Sequence, residues 1–154
     1  QPLAEDDLAG HAELAQRLST PLCLDESIVS LASARNALEM GACSIVNLKA
    51  GRVGGFIEAK KIHDLCFERN VPVWCGGMYE TGIGRAAALA LAALPGFTLP
   101  SDLSASKRYF HEDVTTPFEL VEGCLDVPNT MGIGVAPNRS TLQRITTRTE
   151  EFRL

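Results

Sequence analysis

The spacing of short apolar runs is the feature that most constrains this chain. β-rich runs recur at 21–24 (PLCL), 44–48 (SIVNL), 71–75 (VPVWC) and, more weakly, 97–100 (FTLP), one about every 25 residues, with room for one helix in each interval. Two parallel strands need a crossover of a dozen or more residues, normally helical, so this spacing predicts consecutive βα units in a parallel sheet. The fold class is α/β.

The intervals read as helices. In SLASARNALEM, Leu31, Ala34 and Leu38 share one face, with Ser30 as a cap and Gly41 as a stop signal. In GFIEAKKIHDLCFERN, Phe56, Ala59, Ile62 and Cys66 form an apolar stripe, while Lys60, His63, Asp64 and Glu68 fall largely off it. GRAAALALAALPG is apolar on all sides and should be a closely packed helix ended by Pro95-Gly96. Residues 8–18 make one more helix ahead of the first strand.

A chain of 154 residues could form a small open sheet of four strands, yet its unit length also suits a (β/α) barrel, which needs about 250 residues. The start on Gln1-Pro2, without Met, and the loss of the βα rhythm after residue 111 favour the C-terminal part of such a barrel. Residues 1–111 would then be about four βα units, and 112–154 an extension of loop and short strands. Half a barrel exposes sheet edges and an apolar interior, so this stretch expressed alone should aggregate or self-associate.

Composition excludes several functions. With 14 Lys and Arg against 19 Asp and Glu, a net charge of −5 and no basic run, nucleic acid is a poor partner. No apolar run approaches the roughly 20 residues of a membrane span, and the acidic N-terminus is unlike a signal peptide, which points to a cytoplasmic protein. Cys23, Cys43, Cys66, Cys75 and Cys124 lack the paired spacings of a zinc site and read as reduced core residues. His11, His63 and His111 read as structural.

Chemistry gathers at one sheet edge. Each run is followed by polar or glycine-rich sequence: Asp25-Glu26, Lys49, Gly76-Gly77-Met78, then Asp102. Parallel α/β folds place their active sites at the C-terminal ends of strands. Asp25 and Glu26 could instead cap the next helix, and Lys49 could be a solvated strand end. Together, an acid and a lysine on adjacent strand ends can serve one site, a hard cation with oxygen ligands and an amine that moves a proton. Gly82, Gly84 and Ala87 spell a G-x-G-x-x-A, a dinucleotide or anion-binding pattern that would need Asp102 as its acidic partner.

TPLCLDESI, VNLKAGRVGG, GGMYETGIGRAAALALAALPGFTLPSD and SASKRYFHED, in that order, resemble the second half of the barrel in the enolase superfamily, within the branch of o-succinylbenzoate synthases and N-acylamino acid (N-succinylamino acid) racemases. The likeness runs from Gln1 to about Pro137 and implies the C-terminal part of a (β/α)7β barrel, with the first half and the N-terminal capping domain lying upstream. It also implies that the 112–154 segment packs on that capping domain.

The resemblance implies Mg²⁺-dependent removal of a proton next to a carboxylate, with a small-molecule carboxylate as substrate and a homo-oligomeric enzyme. By the same resemblance, Asp25 is a Mg²⁺ ligand and Lys49 the catalytic lysine. Glu26 supports the lysines, and Gly77, Met78 and Asp102 line the substrate pocket, with Tyr79 and Tyr109 as weaker candidates. The family's other Asp and Glu ligands and its Lys-x-Lys pair have no counterpart in these residues and are expected upstream of Gln1. Synthase and racemase stay open, as do dipeptide epimerase and a non-catalytic half barrel.

Overall fold

The computed structural model describes residues 1–152. In chain order the elements are α1 (Leu8–Arg17), β1 (Cys23–Leu24), α2 (Leu31–Glu39), β2 (Ile45–Leu48), α3 (Phe56–Glu68), β3 (Val73–Cys75), α4 (Gly82–Ala92), a short 3₁₀ turn at Ser106–Arg108 and α5 (Arg139–Ile145). The strands form one parallel sheet in the order β1-β2-β3, with Leu24 beside Val46, Val46 beside Val73 and Leu48 beside Cys75. This is the α/β arrangement that the spacing predicts.

Period-two alternation divides the sheet into two chemically different faces. Leu24, Val46, Leu48, Val73 and Cys75 join Ala34 and Ala37 of α2, Ala59, Ile62 and Cys66 of α3, and Ala88 and Leu91 of α4 in one buried core. The alternate residues Cys23, Asn47 and Trp74, with Asp25, Lys49 and Gly76 just beyond the strand ends, belong to the opposite face. There the Trp74 indole N–H donates to Cys23 Sγ at 3.2 Å.

Local signals set the helix ends. Ser30 caps α2 in a reciprocal box with Ser33, and Gly41, at φ +68°, closes it while Ala42 N–H donates to the Ala37 carbonyl at 2.9 Å. α3 differs from its expected phase. Phe56 is 46% exposed, whereas His63 is buried, its ring stacked between Phe67 and Phe97 and its Nε2 bonded to the Pro95 carbonyl. Gly55 is the N-cap of α3, and its φ of +115° sets the direction in which the helix leaves the loop and so which residues face the sheet.

The run at 97–100 forms only an isolated bridge between Phe97 and Val73, which corrects the expectation of a fourth strand. Contacts survive at both ends, where Val73 N–H donates to the Gly96 carbonyl and Asp102 N–H to the Cys75 carbonyl. Between them the Cys75 N–H turns to the Ser101 hydroxyl, and Pro100 has no N–H to give. After this segment, Asp113 is buried and accepts from the N–H groups of Gly82 and Val114 and from the Ser106 hydroxyl, tying this stretch to the start of α4.

Burial pushes the thiols of Cys43 and Cys75 up to about 12 and that of Cys66 up to about 11, as expected of unreactive core cysteines. Cys124 departs from that reading. It is exposed, because the tight turn from Val121 to Cys124, with Glu122 and Gly123 at positive φ, holds it at the surface. Among the described residues no helix is long and apolar enough to cross a membrane.

Candidate active site

The C-terminal strand ends bring Asp25 and Lys49 together. Asp25 leaves β1 and Lys49 leaves the adjacent β2, and Lys49 Nζ donates to Asp25 Oδ2 at 2.9 Å. Both side chains are about four-fifths buried, at 21% and 19% exposed, where water screens their attraction less than at an open surface. Asp25 does not cap α2, since Ser30 does. Its backbone N–H, like that of Ser27, is instead held by the Gln1 side-chain oxygen at 3.0 Å.

Arg52 completes this cluster, and sequence reasoning missed it. Its guanidinium donates from Nη1 to Asp25 Oδ1, from Nε to the Ile28 carbonyl at 2.8 Å and from Nη2 to the Asn47 carbonyl at 2.5 Å. One arginine thus ties the ends of β1 and β2 together and fixes the Asp25 carboxylate. Burial lowers its pKa, and the Asp25 carboxylate works against that shift. The available signal was its place three residues after Lys49 in a glycine-rich turn, where a long side chain can reach back across the strand ends.

A cavity of about 230 Å³ opens beside Lys49, lined also by Phe56, Cys75, Gly76, Met78, Glu80 and Ala87. A larger apolar groove of about 390 Å³, between α4 and residues 120–127, has among the described residues no carboxylate, histidine, lysine or arginine in its lining, whereas the smaller cavity carries Lys49 and Glu80.

Glu80 supplies a carboxyl group to the smaller cavity and was also missed. Burial raises its pKa, opposed by Arg85, and its Oε1 is buried with no hydrogen-bond partner among the described residues. A carboxyl held toward its neutral form can donate a hydrogen bond. Gly84 makes room for it, because a Cβ there would meet Glu80 Cβ and Oε2 at 2.9 Å.

Raised in the fold, Glu80 contributes stability that is fully present below the ordinary glutamate range, about 4.3, and lost as pH rises through its folded value. Glu80→Gln is therefore expected to match the parent's Tm in acid and exceed it at neutral pH. Thermal unfolding scanned across pH checks this, and a parent advantage that grows with pH would refute it.

The remaining sequence candidates are spread around this centre. Met78 lines the cavity and is 41% exposed. Gly77 lies against the Asp102 backbone, since a Cβ there would meet the Asp102 carbonyl oxygen at 2.1 Å, while the Asp102 side chain is exposed. Glu26 is exposed and forms no hydrogen bond or ion pair among the described residues; its charge acts on Arg52. Tyr79 is 89% exposed and meets Tyr109 edge-on at 4.9 Å. The G-x-G-x-x-A segment has no free anion seat at Gly82, whose N–H is taken by Asp113 Oδ1 at 2.8 Å.

Residues 1–141 match the enolase C-terminal domain-like family. The chain belongs to that family. An N-succinylamino acid racemase from Amycolatopsis is 58% identical over 96% of this chain and 40% of its own length. An o-succinylbenzoate synthase from Geobacillus kaustophilus is 54% identical over 95% of this chain and 39% of its own. A crystal structure of an enolase superfamily member from Listeria innocua superposes with a TM-score of 0.93 at 46% identity, covering 97% of this chain and 41% of that one. The chain therefore spans about 40% of the length of the curated relatives it matches.

Enolase-superfamily sites use Mg²⁺ beside a lysine or histidine base. Asp25 fits such a hard cation in kind, offering carboxylate oxygens at a strand end. It fits in part only. Among the described residues no group of three or more His, Cys, Asp or Glu is placed to hold a metal ion.

Proposed function

We propose that this chain is the Lys49 half of an enzyme that removes a proton next to a carboxylate, acting as an o-succinylbenzoate synthase, an N-succinylamino acid racemase or both. One observation carries the reading. The lysine and the carboxylate that the resemblance assigns to catalysis and metal binding meet at 2.9 Å on adjacent strand ends, beside a cavity, in a chain 58% identical to a racemase.

The whole site needs more than this chain. The helices α2, α3 and α4 all contribute to the core on one face of the sheet, and the face bearing Asn47, Lys49 and Trp74 is the one a barrel would enclose. The further metal ligands and the opposing lysines are proposed to come from residues outside this chain, and the 112–154 segment to pack on a capping domain. Residues 153–154 of that segment lie outside the described residues.

Each residue's task follows from its position. Asp25 would hold Mg²⁺, which when bound supplies the positive charge that stabilises the carboxylate as it gains negative charge. Arg52 holds Asp25 in place by grasping one of its oxygens. Lys49 lines the cavity, its amine oriented by Asp25, and would take or return a proton on one face of the substrate in racemisation, or stabilise the enediolate by its charge in dehydration. Glu80, kept toward its neutral form, can donate to a substrate oxygen in the same cavity. Gly77 and Met78, with Asp102, would shape the wall.

Assays of the full-length gene product with Mg²⁺ on the synthase substrate and on N-succinyl amino acids test the reading. Turnover of at least one, abolished by chelation and restored by Mg²⁺, is expected. Lack of turnover of both by a folded, metal-loaded enzyme would reject it.

A further inference from the structure

We propose that Asn47 is a positioning residue for Lys49, its side-chain amide giving the lysine amine a second polar anchor beside Asp25. The inference rests on the reading of Lys49 as the proton-transfer group.

Asn47 is 1% exposed, yet its Oδ1 is buried without a hydrogen-bond partner among the described residues. Buried amide oxygens are nearly always paired, so an open one beside a functional lysine needs a reason. Two residues before Lys49 on the same strand, Asn47 shares its sheet face.

The glycine opposite shows that the two side chains pack together. A Cβ on Gly76 would meet Asn47 Oδ1 at 2.4 Å, Lys49 Cε at 2.4 Å and Asn47 Nδ2 at 2.8 Å. The amide oxygen and the last carbon of the lysine stem therefore share the volume that Gly76 leaves open, each the same short distance from one point. Lys49 Nζ lies one bond beyond that carbon. The strand end beneath is fixed as well, because Arg52 Nη2 donates to the Asn47 carbonyl at 2.5 Å.

An ammonium has three N–H donors, and Asp25 Oδ2 occupies one of those of Lys49. Asn47 Oδ1 can accept another. In the structure the amine is bonded to Asp25 and Asn47 Oδ1 stays open; a bond between the two, made when the Asp25 oxygens are engaged elsewhere, would keep the amine in place over the cavity. Such preorganisation acts on the rate of the chemical step more than on substrate binding.

The test uses the full-length enzyme with Asn47→Leu, close in size but without the amide, Asn47→Asp, which keeps an acceptor oxygen, and Gly76→Ala, which puts a methyl at the contact. Asn47→Leu should lower kcat about tenfold or more while KM stays within about threefold. Competitive labelling with acetic anhydride, followed by mass spectrometry, should show Lys49 reacting at least about threefold faster relative to Lys60 in Asn47→Leu than in the parent, with Asn47→Asp, whose carboxylate holds the ammonium, no faster than the parent. Unchanged kcat and unchanged Lys49 labelling in Asn47→Leu would overturn the proposal, as would a rise in KM alone. Should Asn47→Leu fail to fold, Gly76→Ala decides by the same readouts. Labelling does not depend on the reaction, so an enzyme that stays active as Lys49→Ala would reject the functional reading and leave the Asn47 result standing.

Discussion

Lys49→Ala in the full-length enzyme is expected to lower kcat by about 10²–10⁴-fold, the range for removing a positioned acid or base, with much less change in KM. The size follows from the setting. Among the described residues Lys49 is the only lysine in the cavity lining, and its amine is already oriented by Asp25 at 2.9 Å. Truncation still leaves the Asp25 carboxylate paired with Arg52, so the fold should persist and the loss should be one of chemistry. Steady-state kinetics on both candidate substrates, with circular dichroism to confirm folding, would check it. A variant retaining more than about a tenth of the parent kcat would remove Lys49 from the mechanism.

Asp25→Asn should be nearly as damaging for a different reason. The substitution keeps size and some hydrogen bonding but removes the charge that Lys49 and Arg52 share, leaving two partly buried cations without their anion. Breaking fully buried pairs costs about 3–5 kcal/mol; at 21% exposure the cost here should be smaller, about 1–3 kcal/mol. Activity should fall at least about 100-fold, and Mg²⁺ should bind more weakly, because a neutral amide is a poorer ligand for a hard cation than a carboxylate. Calorimetric titration of Mg²⁺ into parent and variant separates the two effects. Equal Mg²⁺ affinity would show that Asp25 is a structural ion-pair partner and not a ligand.

Much of the architecture was legible because it depends on local signals. The spacing of apolar runs predicted four βα units, of which three form strands and the fourth, at 97–100, only a bridge, and Ser30 and Gly41 bound α2 as their chemistry requires. The acid and the lysine could be placed at the same edge because both follow β-rich runs, and the register of β1 on β2 brings them into contact. The misses share a cause, since each depends on contacts distant in sequence or on backbone turns that side-chain pattern does not encode. His63 is buried because Phe97 and the Pro95 carbonyl cover it from more than thirty residues away. Phe56 turns outward because Gly55 sets the phase of its helix. Arg52 and Glu80 reach their places by folding back, Arg52 across two strand ends and Glu80 over Gly84. Asn47 reads in the sequence as one more strand residue, and only the fold shows its oxygen buried without a partner among the described residues.

The central claim is that Lys49 moves a proton at the carbon next to a carboxylate, and isotope exchange tests it most directly. The full-length enzyme with Mg²⁺ is incubated in D₂O with each enantiomer of an N-succinyl amino acid, and loss of the α-proton signal is followed by ¹H NMR. Exchange by the parent enzyme is expected, with its loss in Lys49→Ala for at least one enantiomer, the one whose proton faces Lys49. Exchange of both enantiomers by Lys49→Ala at the parent's rate would contradict it.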